Sequence, residues 1–269
     1  MSLLIEKQYG IRCDENKLIS QMPILSSIQT KAGFLREEDF LNFLTASPKS
    51  KELIEIAENF LIHETYFFRE FKQLQAFSEL LLPEIVEQKK RKGDVTLSLW
   101  SAACSSGEEA YTLAIILNEL LDRRVFPSIR IYGTDLDRLV IDKAKKGSYA
   151  GRTLKDVPPG YLGRYFLKEK DDAYSLGSQI KGMCEFQVEN LLLTKPPSSQ
   201  RYDVIFCRNA FIYFSDANKK IILNHFLSCL KADGILVIGS TDSISKIESP
   251  FSTFTRGGFT FYSKGNFGK

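Results

Sequence analysis

Apolar residues recur at helical spacing through residues 1–62, and from residue 95 they gather instead into short runs separated by amphipathic stretches. In the opening segment Asp14 is placed to cap a helix over 15–25. Pro23 is expected to kink or end that helix, because proline lacks the amide hydrogen a helix interior needs. Phe40, Leu41 and Leu44 share one face of a helix over 36–44. Ser47 and Pro48 read as the cap and first position of another over 49–62, where Leu53, Ile56, Ala57, Phe60 and Leu61 repeat at helical spacing. A helix-rich stretch follows over 71–92. Strands are then predicted over 95–100, 129–133, 184–188, 202–207 and 235–238, and helices over 108–121, 136–146 and 217–230. Residues 148–181, with Pro158-Pro159-Gly160 and Gly177, are less regular and have room for a helix over 161–167 and a small hairpin. Asp233-Gly234 reads as a turn, and the aromatic-rich segments 251–255 and 259–262 as a terminal hairpin. This alternation predicts an α/β fold, a doubly wound and mostly parallel sheet that binds its ligand at the strands' carboxyl ends. A small all-helical domain over 1–70 is expected to precede the sheet domain over 71–269.

Composition narrows the classes. With 269 residues, 43% hydrophobic and 26% charged, the chain matches an ordinary globular protein large enough for a substantial core. The net charge of +3 is too small to argue for nucleic acid. Residues 1–70 hold eight Lys/Arg against eleven Asp/Glu, a net of −3, and neither part carries a clustered basic helix. No apolar run is long enough to span a bilayer, and Met1-Ser2-Leu3-Leu4-Ile5-Glu6 lacks the marks of a signal peptide. Five cysteines (13, 104, 184, 207 and 229) without C-x-x-C spacing indicate neither a disulfide framework nor a zinc site. A cytoplasmic monomer is expected, with no metal, no nucleic-acid partner and no membrane insertion.

The stretch Ser101-Ala102-Ala103-Cys104-Ser105-Ser106-Gly107 is the focus of the chemistry. It joins a predicted strand to a predicted helix through small side chains, which let a ligand's polar part approach bare backbone amides. Asp135, 28 positions after Gly107 and at the end of the second strand, can accept both hydroxyls of a ribose. Asp137 is the better cap for the helix that follows. Asn190 ends the third strand and Arg208-Asn209 the fourth, on the same rim. A G-x-G-x-x-G fingerprint is lacking, as is the Gly-Lys-Ser/Thr of a Walker loop, so an adenosyl ligand without phosphates fits best. S-adenosylmethionine is such a ligand, and a carboxylate at Glu108 would suit its cationic end. Glu108 could equally serve only to stabilise its helix N-terminus. Cys104 and Cys207 read as small buried residues, since neither His63 nor His225 forms a Cys–His signature with them. The segment His63-Glu64-Thr65-Tyr66-Phe67-Phe68-Arg69-Glu70 fits neither a helical nor a strand period. It reads either as a linker whose aromatics plug both domains or as one from which Thr65 and Arg69 reach a ligand.

With these residues assembled, the chain resembles the CheR-type chemotaxis receptor methyltransferases. The resemblance is carried by residues 63–69, by Ser101 to Glu109, by Gly133-Thr134-Asp135-Leu136-Asp137, by Asn190-Leu191 and by Phe206-Cys207-Arg208-Asn209-Ala210-Phe211-Ile212-Tyr213-Phe214. It implies a class I S-adenosylmethionine methyltransferase domain behind a helical domain, methylating glutamate side chains on receptor signalling helices. Transferred by position, it implies that Thr65, Arg69, Glu108, Asp135, Asn190, Leu191, Arg208 and Asn209 contact the cofactor. Tyr213 would lie beside the transferred methyl, with Arg69 sharing the catalytic role. Three positions depart from the family's pattern. His63 replaces the usual Asn, the segment 17–30 has no arginine where relatives carry several, and Gly239-Ser240-Thr241-Asp242 replaces Gly-His-Ser-Glu. A non-catalytic regulatory module that binds the cofactor, or a carboxyl methyltransferase acting on another protein, are the alternatives.

Overall fold

Residues 1–13, 15–61, 64–193, 202–244, 247–265 and 267 are described by the structure, a computed structural model. Four helices come first: α1 (Ser2–Tyr9), α2 (Glu15–Lys31), α3 (Glu37–Ala46) and α4 (Lys51–Asn59). Ile5, Leu25, Ile28, Phe40, Leu44, Leu53 and Ile56 meet in one buried cluster; Leu41, expected on the same face as Phe40 and Leu44, is exposed instead. Helix α2 does not end at Pro23 but runs on to Lys31. Pro23 is exposed and Ile19, one turn earlier, is 67% exposed, so water surrounds the turn in which proline leaves a carbonyl without its donor. Helix α4 starts later than expected. Ser47 is consumed in ending α3, its N–H bonding the Phe43 carbonyl at 2.9 Å, and Ser50 becomes the cap, accepting from Leu53 N–H at 3.3 Å. The expected cap at Asp14 lies outside the described residues, as does His63.

Helix α5 (Phe71–Ala76) passes through a π turn at Phe77–Leu81 into α6 (Leu82–Arg91). The alternating part follows: β1 (Thr96–Ala102), α7 (Glu108–Leu120), β2 (Ser128–Asp135) and α8 (Arg138–Lys146). Next come β3 (Ser148–Ala150), α9 (Pro159–Tyr165), β4 (Phe166–Lys168), β5 (Ala173–Leu176) and α10 (Ser178–Lys181). The remainder is β6 (Cys184–Val188), β7 (Tyr202–Cys207), α11 (Asp216–Cys229), β8 (Leu230–Ile238), β9 (Ser252–Arg256) and β10 (Phe259–Ser263).

Seven strands form one sheet in the order β6-β2-β1-β7-β8-β10-β9. The first five are parallel, and the β9–β10 hairpin adds antiparallel to β8. Along β1, Leu97 and Leu99 enter the core that α7 shares, while Trp100 and Ala102 enter the core under α11. Val204 and Phe206 alternate with Ile205 and Cys207 in the same way along β7. A sheet buried on both faces is what near-continuous apolar strands require. Asp233-Gly234 lies within β8 rather than ending a loop. The pairing steps from Tyr202↔Leu230 to Val204↔Ile235, so these residues form an irregularity that the sheet absorbs. The irregular stretch becomes a separate three-stranded antiparallel sheet, β3-β5-β4. Strand order reverses at β1, where β2 lies on one side and β7 on the other, and in such sheets the crevice opens at that point. Among the described residues no helix is long and apolar enough to cross a membrane.

Candidate active site

A cavity of about 300 Å³ opens at the carboxyl ends of β1, β2, β6 and β7. Tyr9, the last residue of α1, Ile11 beyond it and Leu61, after α4, line it from the helical part. Beyond β1 the backbone turns through left-handed conformations at Ala103 (φ 58°) and Ser105 (φ 50°) before Gly107 (φ 91°) starts α7. A Cβ on Gly107 would stand 2.8 Å from that of Ala144, so only glycine lets α7 and α8 come this close. The loop is tied to β2: Cys104 N–H donates to the Thr134 carbonyl at 2.9 Å and Ser105 N–H to Asp135 Oδ2 at 2.8 Å. Ala103, Cys104 and Ser105 line the cavity, and the buried Ser105 hydroxyl has no hydrogen-bond partner among the described residues. Burial, then the nearby Asp135 charge, pushes the Cys104 thiol well above its ordinary range, which leaves it inert.

Asp135 lines the cavity while its Oδ1 accepts from Asp137 N–H at 3.1 Å. Asp137 caps α8, accepting from Leu139 N–H at 2.6 Å, so Asp135 is not spent as a helix cap. In segment 64–70 the aromatics plug one domain rather than both, since Phe67 and Phe68 join only the core of the sheet domain. Phe67 and Phe68 are buried, and Phe67 packs edge-on to Tyr149 and Phe166 with ring centres 4.9 and 5.2 Å apart. Its N–H donates to the Thr153 carbonyl, and Phe68 N–H to the Thr112 hydroxyl, at 3.0 and 3.1 Å. With those rings anchored, Glu64, Thr65, Tyr66 and Arg69 line the cavity. Asn190 and Leu191 line it from the end of β6. The Asn190 amide is committed on both sides, donating to the Gln8 carbonyl at 3.0 Å and accepting from Leu192 N–H at 2.9 Å.

Arg208 and Asn209 end β7 in a buried polar network. The guanidinium donates to Gln73 Oε1 (2.8 Å), the Arg69 carbonyl (2.6 Å) and Glu109 Oε2 (3.3 Å), and lies 3.4 Å from Glu70 Oε2. Asn209, at φ 57°, donates its N–H to Asp242 Oδ2 at 2.7 Å and its side-chain amide to Glu70 Oε1 at 2.8 Å. Asp242 also takes Gly239 N–H at 3.1 Å, and a Cβ at Gly239 would meet that same carboxylate at 2.8 Å. Burial raises Glu109, against the pull of Arg208 and the Ser101 hydroxyl. Burial also pushes Glu70 upward, but bonds from Ser240 and Asn209 and the Arg208 charge leave it below the usual carboxylate range. Tyr213 lines the cavity from a short 3₁₀ turn, with its carbonyl accepting Arg12 N–H at 2.7 Å and the Lys17 ammonium 5.4 Å from its ring.

Eight of the nine residues singled out from the sequence therefore meet around one cavity, and Glu108 does not. Its carboxylate is 1% exposed and accepts the Ser106 hydroxyl at 2.8 and 3.0 Å, while the next residue, Glu109, lines the cavity. Glu109, Glu189 and Tyr66 escaped the sequence reading. Which of two adjacent glutamates faces a ligand depends on how the strained loop sets the helix's rotation, and composition carries no signal for that.

The lining fits S-adenosylmethionine. Among the described residues the lining holds four acids, Glu64, Glu109, Asp135 and Glu189, against Arg69 and Arg208; Arg208 is already matched by acids, and Glu64 has Arg152 at 3.6 Å. Such an excess of acid suits a cationic ligand without phosphates. The unpartnered Ser105 hydroxyl offers a further polar contact. A family model described as "CheR methyltransferase, SAM binding domain" matches residues 63–257. The "Chemotaxis protein methyltransferase" of Borreliella burgdorferi is 33% identical over 242 residues, 90% of this chain and 86% of that protein. "Chemotaxis protein methyltransferase 2" of Vibrio cholerae is 33% identical over 213 residues, 79% of this chain and 73% of that protein. "Chemotaxis protein methyltransferase 1" of Pseudomonas aeruginosa is 30% identical, with coverage of 90% and 84%.

Proposed function

Since the chain belongs to the CheR methyltransferase family and uses S-adenosylmethionine, we propose that it methylates glutamate side chains on chemoreceptor signalling helices. The observation that supports this is the convergence of Thr65, Arg69, Asp135, Asn190, Leu191, Arg208, Asn209 and Tyr213 on one acid-rich cavity. When bound, S-adenosylmethionine supplies a methyl group on a sulfonium that needs no acid to activate it. Asp135 accepts the ribose hydroxyls. Glu109 takes the place expected of Glu108, facing the cationic end. Arg208 and Asn209 hold segment 64–70 against the end of β7, and thereby fix Thr65 and Arg69. The acceptor carboxylate is already ionised at neutral pH, so no base is required, and no histidine is needed in the site. What remains for the chain is alignment and dryness: Tyr213 and Arg69 orient the reacting groups, and Tyr9, Ile11 and Leu61 keep water from the wall they form. The helical part, residues 1–70, serves as that wall to the catalytic part, residues 71–269, in a cytoplasmic monomer.

The test is transfer of labelled methyl from S-adenosylmethionine to co-purified receptor signalling fragments. Label released as methanol by mild base, and lost when acceptor glutamates are changed to alanine, is expected. No transfer despite tight binding of S-adenosylhomocysteine would replace this function with that of a regulatory module.

A further inference from the structure

An anionic acceptor has to approach a cavity whose lining is itself rich in acid, so cations are needed where it enters. The helical part supplies few. Residues 1–70 carry a net −3, segment 17–30 has no arginine, and Lys17 lies over Tyr213. On the Arg69 side two cations from distant parts of the chain share one ring. Lys155 Nζ lies 4.0 Å from the centre of the Tyr66 ring, and the Arg69 guanidinium carbon lies 5.7 Å from it. Tyr66 and Arg69 line the cavity, whereas Lys155 is exposed and stands outside it. A cation over an aromatic face is held in place without being neutralised. Among the described residues neither Lys155 nor Arg69 makes an ion pair, and Arg69 donates to the Glu64 carbonyl. The Glu64 carboxylate, the nearest acid in that segment, is taken by Arg152 at 3.6 Å.

The backbone fixes where Lys155 stands. It follows the 3₁₀ turn Gly151–Leu154, its N–H donating to the Arg152 carbonyl at 3.3 Å. In the same turn the Thr153 carbonyl accepts Phe67 N–H at 3.0 Å, which ties the turn to the segment that carries Tyr66 and Arg69. Two like charges held beside one ring repel each other, and an anion arriving beside them relieves that repulsion. A helical substrate brings such an anion. With the acceptor glutamate reaching into the cavity toward Arg69 and Tyr213, the side chains three and four positions away share its face, about 5–6 Å off. One of them then passes over the outside of the cavity wall, beside Lys155. We propose that Lys155 is a specificity residue for the acceptor, pairing with an acidic side chain one helical turn from the glutamate that is methylated. This deepens, and rests on, the reading of the substrate as a receptor signalling helix.

The experiment measures initial rates of labelled-methyl transfer to two receptor signalling fragments. One carries glutamates a helical turn from its acceptor, and in the other those flanking glutamates are changed to glutamine. On the first fragment Lys155→Gln raises KM by about three- to fivefold, the worth of an exposed ion pair. Lys155→Glu, which adds repulsion, raises it by about tenfold, while Lys155→Arg stays within about twofold of the native value. On the second fragment native protein and Lys155→Gln differ by less than about twofold, because the pair is already gone. Calorimetric affinity for S-adenosylhomocysteine is the same throughout, since Lys155 stands outside the cavity. A native KM in Lys155→Glu overturns the proposal. So does an equal rise on both fragments, or a parallel loss of S-adenosylhomocysteine affinity, which a merely structural role would produce. Failure of the native protein to methylate either fragment overturns the substrate reading instead, and is recognised without any variant.

Discussion

Arg208→Met removes the cation at the centre of the buried network and keeps an unbranched apolar stem in its place. Its guanidinium is buried, and it serves Glu109, Glu70, Gln73 and the Arg69 carbonyl together. Breaking a buried pair on one side strands its partner's charge, which costs about 3–5 kcal/mol. The cost depends on pH in a calculable direction. Burial already holds Glu109 above its ordinary value, and Arg208 pulls it back, so the variant's Glu109 titrates higher still. A carboxyl whose folded pKa exceeds its unfolded one loses stability as pH rises from the unfolded value through the folded one. Glu70, held low partly by Arg208, also moves upward in the variant, so stability that it supplied above the ordinary carboxylate range disappears. Both effects act with the same sign. Urea unfolding should therefore show the variant destabilised by about 3–5 kcal/mol at pH 8 and by clearly less at pH 5.5, with an unchanged denaturant slope. A loss under about 1 kcal/mol at pH 8, no greater than for an exposed ion pair, would refute the reasoning. So would a loss that grows on acidification.

Asp135→Ala should weaken S-adenosylhomocysteine binding by about 1.5–3 kcal/mol in calorimetry; unchanged affinity in a folded variant removes Asp135 from the site. Glu109→Gln should weaken S-adenosylmethionine binding several-fold more than Glu108→Gln, because only Glu109 lines the cavity, and equal losses would contradict that placement. Tyr213→Phe should lower kcat far more than it raises the cofactor's Kd, the pattern of a contact made mainly in the transition state, and parallel losses would make it a plain binding residue.

The sheet was legible because strands buried on both faces leave near-continuous apolar runs such as Tyr202 to Cys207, and the rim was legible because polar residues interrupt those runs at their ends. The errors fall where geometry is set by partners distant in sequence. Pro23 does not end α2, because a proline on an exposed helix face forfeits one bond while packing at Leu25 and Ile28 holds the next turn. The choice between Glu108 and Glu109 follows from a loop with two non-glycine residues at positive φ, and no residue type announces that conformation. Five of the seven such residues among those described (Phe68, Glu70, Ala103, Ser105 and Asn209) lie in the three segments that meet at the cavity. Each costs free energy on its own and persists because the surroundings over-determine it: buried rings at Phe68, the Ser240 and Asn209 bonds to Glu70, Asp135 on Ser105, Asp242 on Asn209. The same bonds that hold these strained turns also aim their neighbours into the cavity. Preorganisation of the site and strain in its loops therefore have one physical origin, and substitutions at Glu70 or Asp242, which touch no ligand, should disturb binding by loosening that frame.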